Sequence, residues 1–164
     1  MGETFCLIKP EAFDRREDIE KDIIGNNFSI LEKMESYWKW NQMREMYSKE
    51  NLHYNTKTIK KTNRIMSFLI PYEISRKFPN PMVEALILSS DGDTIRDFVK
   101  FCGPTAAMEY TKKEFKNTLR GKYGLGPEHG FIRTIEGKEY RFDFNGIHKS
   151  STKKEFIRDR KIYF

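Results

Sequence analysis

In the run Asn145-Gly-Ile-His148-Lys-Ser150-Ser, a histidine sits between a glycine and two serines, in a chain whose other histidines are His53 and His129. A neutral imidazole nitrogen is a competent nucleophile near pH 7. Cations that could receive an anionic substrate are also present. Lys9 is held by Pro10, and the run Thr118-Leu-Arg120-Gly presents Arg120. The competing reading is a solvated histidine on a polar turn, since a polar loop needs no catalytic explanation. Other chemistries lack their motifs. The sequence holds no GxxxxGK[ST] phosphate loop, no GxGxxG after a strand, no GxSxG elbow and no paired Cys/His spacing for zinc.

The chain has 164 residues, enough for one domain with a sizeable core. Only 38% of residues are apolar, but 14% are aromatic, which favours a folded chain over a disordered one. A net charge of +6 points toward polyanionic partners such as nucleotides, nucleic acid or an anionic membrane. Cys6 and Cys102 lie in apolar stretches and read as reduced core residues. No apolar run approaches a membrane span, and the first residues resemble neither a signal peptide nor a lipidation site. A cytoplasmic protein without a membrane partner is the expectation.

The elements that must position His148, Lys9 and Arg120 follow from local patterns. Residues 4–8 read as a strand ended by Pro10. Asp14 and Glu17 form a D-x-x-E capping box before a helix with Ile19, Ile23 and Ile24 on one face. Residues 28–40 alternate, with Phe28, Ile30, Met34, Trp38 and Trp40 on one parity, predicting a long strand. Asn41 then caps a helix carrying Met43, Met46 and Tyr47. The basic stretch from His53 to Arg64 reads as a solvated loop or helix face. Pro71 starts a short helix, and residues 81–88 form a strand. Asp93 caps a helix with Ile95, Phe98, Val99 and Cys102 inward and Gly103 as its stop. Residues 104–130 read as irregular, and 131–144 as a hairpin turning at Gly137. Thr152 and Glu155 open the last helix. One domain over residues 1–164 is expected, of α+β class: a ferredoxin-like βαββαβ arrangement, a four-stranded antiparallel sheet with helices packed on one face, plus the hairpin.

Several of these residues carry a resemblance. Thr4-Phe-Cys-Leu-Ile-Lys9-Pro10-Glu resembles the opening strand of nucleoside diphosphate kinases, and residues 145–164 resemble their active-site segment N-x-x-H-(G/A)-S. Cys102-Gly-Pro-Thr105 and Thr118-Leu-Arg120-Gly are similar to the elements between them, in the same order. The resemblance spans residues 4–164 and is faint from about 41 to 80. It implies a ping-pong transfer of the γ-phosphate of ATP or another nucleoside triphosphate to a nucleoside diphosphate through a phosphohistidine at His148. Lys9, Thr105 and Arg120 match phosphate ligands, with Mg2+ carried on the nucleotide. Asn145 matches a sugar contact and Leu69 falls where a base is stacked. Ser150, Asp159 and Tyr47 match residues supporting the histidine. A homo-oligomer (dimer, tetramer or hexamer) is implied as well, and the apolar strand at 28–40 agrees with one.

There are departures from the family pattern. A second phosphate-binding arginine falls on Val99, so Arg96, Arg133, Arg141 and Lys149 become candidates to replace its charge. Asp159 stands where a glutamate is usual. The segment at about 121–144 is an insertion. The second reading is therefore a catalytically weak or inactive nucleotide-binding relative acting as an interaction module. Nucleic-acid binding is a third class, and no recognised module supports it.

Overall fold

The computed structural model describes residues 2–49 and 57–164, with backbone alone for residues 48, 49, 57–64, 135 and 138. His53 therefore lies outside the described residues, and of the basic stretch only the helical backbone from Lys57 is described. The elements are β1 (Gly2–Ile8), α1 (Arg16–Gly25), β2 (Ser29–Tyr37), α2 (Trp40–Lys49), α3 (Lys57–Lys77), β3 (Met82–Ser90) and α4 (Thr94–Cys102). The short α5 (Ala107–Tyr110) and α6 (Leu119–Tyr123) come next, then β4 (Phe131–Ile135), β5 (Lys138–Phe142), β6 (Ile147–Lys149) and α7 (Lys153–Tyr163).

Four strands form one antiparallel sheet in the order β2-β3-β1-β6, while, among the described residues, β4 and β5 pair with each other alone. This is the expected α+β, ferredoxin-like arrangement. The helices, however, cover both faces of the sheet instead of one. Phe5, Leu7, Val83, Ala85 and Ile87 pack with α2, α3 and α7, while Cys6, Ile8, Leu86 and Leu88 pack with α1 and α4. Both parities of the central strands are apolar because each faces a helical layer.

Two helix caps and the hairpin turn held. Asp93 accepts from the Arg96 amide at the start of α4, and Thr152 accepts from the Glu155 amide at the start of α7. The β4–β5 hairpin turns through Glu136 and Gly137, both at positive φ, as a two-residue turn requires.

Other expectations were overturned. A 3-10 turn over Pro10–Arg15 runs straight into α1, so Asp14 lies inside helical backbone and makes no capping box. Asn41 likewise lies within α2, which begins at Trp40. Pro71 lies inside α3 instead of starting a helix. An interior proline loses one backbone bond and costs about 3 kcal/mol. Met66, Ile70 and Ile74, four residues apart and all buried, offset that by packing against the sheet. Residues 104–130 contain α5 and α6, which the reading as irregular chain missed. Finally, β2 does not keep one parity inward. A register shift between Ile30 and Glu32 puts Ile30 beside Leu88 but Met34 beside Ala85, on opposite faces.

Candidate active site

His148 is placed by the pairing of β6 with β1, where it stands opposite Leu7. It therefore shares the face of the sheet against which α7 packs. The α7 helix is tied at its far end: Trp38 Nε1 donates to the Tyr163 hydroxyl at 2.7 Å, and Tyr163 stacks on Phe5 at 5.3 Å. Asp159, one turn before that anchor, then meets the imidazole. His148 Nε2 lies 3.0 Å from Asp159 Oδ2, and the same oxygen accepts from Ser150 Oγ at 2.8 Å. The other carboxylate oxygen accepts from Arg158 Nε at 2.7 Å.

Burial pushes the Asp159 carboxyl up, but attraction to His148, the hydrogen bond between them, the Arg158 guanidinium and the Ser150 hydroxyl hold it below its ordinary range. An ionised Asp159 requires the proton of a neutral imidazole to sit on Nε2, which leaves the lone pair on Nδ1.

The chain turns sharply just before the histidine. Gly146 has φ +79, and a Cβ there would crowd Ala12 Cβ at 3.2 Å. Its carbonyl accepts from the Lys9 amide at 2.8 Å, and its amide donates to Glu11 Oε1 at 2.9 Å. Glu11 Oε1 also pairs with Lys9 Nζ at 3.3 Å, and both side chains are buried. A short segment thus sets Lys9 beside His148.

A cavity of about 470 Å3 opens above these groups. Lys9, Arg120, Thr105, Asn145, His148, Lys149 and Tyr47 all line it, so chemistry spread from residue 9 to residue 149 is gathered at one place. Arg120 is held rigidly. Its Nε and Nη2 donate to the Ile147 carbonyl, and its Nη1 donates to the Gly103 carbonyl at 3.0 Å and to Thr105 Oγ1 at 3.1 Å. Asn145 Nδ2 donates to the Thr105 carbonyl, whereas its buried Oδ1 has no hydrogen-bond partner among the described residues. Ser150 and Asp159 lie beneath the floor.

Leu69 is not brought to the cavity; it packs against the sheet core, and Met66 and Ile70 supply the wall from α3. Three further expectations need correction. Val99 is only half-buried on α4. Arg96 is exposed, pairs with Asp97 at 3.4 Å and lines no part of the cavity. Arg133 pairs with the buried Glu73 of α3 instead of facing the cavity.

Sequence reasoning missed Glu11, although its place two residues after Lys9 is a readable signal. It also missed Arg158 as a second partner of Asp159, and Tyr140, Phe142 and Asp143 as cavity wall around Arg141, the one residue of that stretch it had named. Among the described residues no group of three or more His, Cys, Asp or Glu side chains is arranged to hold a metal ion. No described helix is long and apolar enough to cross a membrane.

No family model matches the sequence. No curated protein matches it either. Solved structures do. Nucleoside diphosphate kinase from Aquifex aeolicus superposes with a TM-score of 0.67 at 18% identity, over 99% of this chain and 94% of that one. The enzyme from Borrelia burgdorferi, a transition-state mimic with bound vanadate and ADP, gives 0.68 at 16% identity, over 99% and 86%. The enzyme from Encephalitozoon cuniculi gives 0.65 at 18% identity, over 100% and 89%. The fold of this chain is that of nucleoside diphosphate kinases.

Proposed function

We propose that the protein is a nucleoside diphosphate kinase working by a ping-pong mechanism, with His148 as the residue phosphorylated. The observation that carries the reading is the His148–Asp159 contact at the floor of a cavity lined by cations. In the first half-reaction the Nδ1 lone pair of His148 attacks the γ-phosphorus of a bound nucleoside triphosphate. A P–N bond forms, the bond to the β,γ-bridging oxygen breaks, and the diphosphate leaves with that electron pair. In the second, a terminal oxygen of another nucleoside diphosphate attacks the phosphohistidine, forming P–O and breaking P–N. Asp159 keeps the Nε2 proton in place and offsets the positive charge on the ring during attack.

Lys9, Arg120 and Thr105 are assigned to the phosphates and Asn145 to the sugar. Most of the rate acceleration then comes from alignment and charge neutralisation. Mg2+ enters as part of the substrate, carried on the phosphates.

Incubation with γ-labelled ATP should give protein-bound label that is lost in mild acid, as a phosphoramidate is. His148→Ala should abolish both label and transfer, and His129→Ala should leave them unchanged. Transfer at an undiminished rate without His148 would refute the assignment.

We also infer a homo-oligomer. The edge strand β2 leaves Leu31, Met34 and Tyr37 exposed beside unpaired backbone. Light scattering at micromolar concentration should show at least a dimer, and a clean monomer would overturn this part.

A further inference from the structure

Among the described residues the β4–β5 hairpin pairs with no other strand, yet it is clamped into place from two sides. Arg133 of β4 forms an ion pair with the buried Glu73 of α3. On its inner face the Phe131 and Phe142 rings meet at 5.3 Å, and Phe142 meets Phe144 at 5.4 Å. This packing carries residues 140–143 to the cavity wall.

Two contacts show how far in the hairpin reaches. The Phe142 ring lies 5.4 Å from Lys9 Nζ and meets the Tyr47 ring edge-on at 5.6 Å. Arg141, next to Phe142 on β5, and Asp143 just beyond the strand turn instead toward Pro127 and the start of α5. There Asp143 Oδ2 accepts from the Ala107 amide at 2.9 Å, and Asp143 Oδ1 accepts from Arg141 Nε at 2.8 Å.

The cations of the cavity differ in what remains available to a ligand. Lys9 is paired with the buried Glu11, and Arg120 places four of its five N–H donors on two carbonyls and a hydroxyl. Arg141 has five N–H donors, of which Nε goes to Asp143 and one on Nη2 to the Pro127 carbonyl. Its side chain is one-third exposed at the cavity, and the remaining donors form a planar fork suited to phosphate oxygens.

We propose that the hairpin is part of the substrate site, with Arg141 as a direct ligand of the substrate's phosphate chain. The inference rests on the reading of this cavity as a phosphate site. It explains why cationic chemistry absent at position 99 is not missing from the site. It also makes the hairpin a working element and not an ornament on the surface.

Isothermal titration of the full chain with inorganic pyrophosphate tests the ligand role without requiring turnover. Arg141→Gln should weaken pyrophosphate binding about tenfold or more, the loss expected for a charge-assisted contact. Arg96→Gln, which removes the same charge from an exposed position outside the cavity, should bind as the wild type does. Asp143→Asn separates a ligand from a scaffold. It removes a carboxylate that opposes the incoming anion while leaving an oxygen for the Ala107 amide, so affinity should hold or rise. Unchanged binding by Arg141→Gln overturns the proposal. So does an equal loss in Asp143→Asn, which would mean that the ion pair only holds the hairpin, and so does a wild type without affinity for pyrophosphate. A wild type that binds pyrophosphate through Arg141 but takes no acid-labile label from ATP would leave the ligand assignment standing and refute the phosphohistidine.

Discussion

Among the carboxyl groups buried in this molecule, Asp159 and Glu84 are driven in opposite directions by their surroundings. Asp159 on α7 and Glu84 on β3 are both fully buried. Around Asp159 stand an imidazole, a hydroxyl and a guanidinium, each placed to stabilise the anion. Around Glu84, on the face of the sheet beneath α1, neither oxygen meets a hydrogen-bond donor. Burial, followed by repulsion from Glu20 of α1, pushes the Glu84 carboxyl up to about 7.

The charged groups near Glu84 are already committed. Lys33 of β2 pairs with Glu20 at 3.1 Å, and Arg16 of α1 pairs with Glu35 of β2 at 2.8 Å. Burial by itself thus says little about a carboxyl. The donors within reach decide whether the site holds an anion ready for chemistry or a proton that has nowhere better to go.

The largest effect should come from removing the satisfied member. Asp159→Ala leaves His148, Ser150 and the buried Arg158 guanidinium without their acceptor. Breaking such a buried pair from one side costs about 3–5 kcal/mol. Urea unfolding should show that loss, and label transfer to His148 should fall at least as steeply as stability. An Asp159→Ala protein as stable as the wild type would mean that these contacts contribute little.

Glu84 should show the opposite sign. Its folded-state value lies above its ordinary value of 4.5, so the folded protein binds more protons than the unfolded chain between those two values. By linkage, stability is fully present below pH 4.5 and is lost as pH rises toward 7. Glu84→Gln cannot ionise. It should match the wild type in acid, and by pH 8 it should be the more stable by roughly 2–3 kcal/mol. Asp159, held below its ordinary range, contributes stability of the reverse kind, present at neutral pH and lost as pH falls through its lowered value. Parallel denaturation curves for wild type and Glu84→Gln across pH 5–8 would break the comparison, because they would show Glu84 ionised without penalty.

Much of the site was legible along the chain because its signals are short-range. Lys9 before Pro10, the glycine turn before His148 and the Thr152 cap of α7 each involve residues within one turn of one another. Backbone sterics and local hydrogen bonds settle such features whatever the rest of the chain does. The β4–β5 hairpin was legible for the same reason, since a two-residue turn at Glu136 and Gly137 defines it alone.

The sequence by itself therefore determined the α+β order of elements and put forward His148, Lys9, Arg120 and Asp159 as candidates for a site. It could not determine what depends on two remote segments meeting. The bulge in β2 reversed the faces of Ile30 and Met34 because register against β3 outweighs alternation within a strand. Pro71 stayed inside α3 because its neighbours Met66, Ile70 and Ile74 had a core to enter. The path of the hairpin to Lys9 and Tyr47, and the contrast between Asp159 and Glu84, were decided only by tertiary packing. Alternation and capping constrain residues that are close along the chain, whereas the partners of a buried charge are chosen by which distant side chains the fold brings within three ångströms of it.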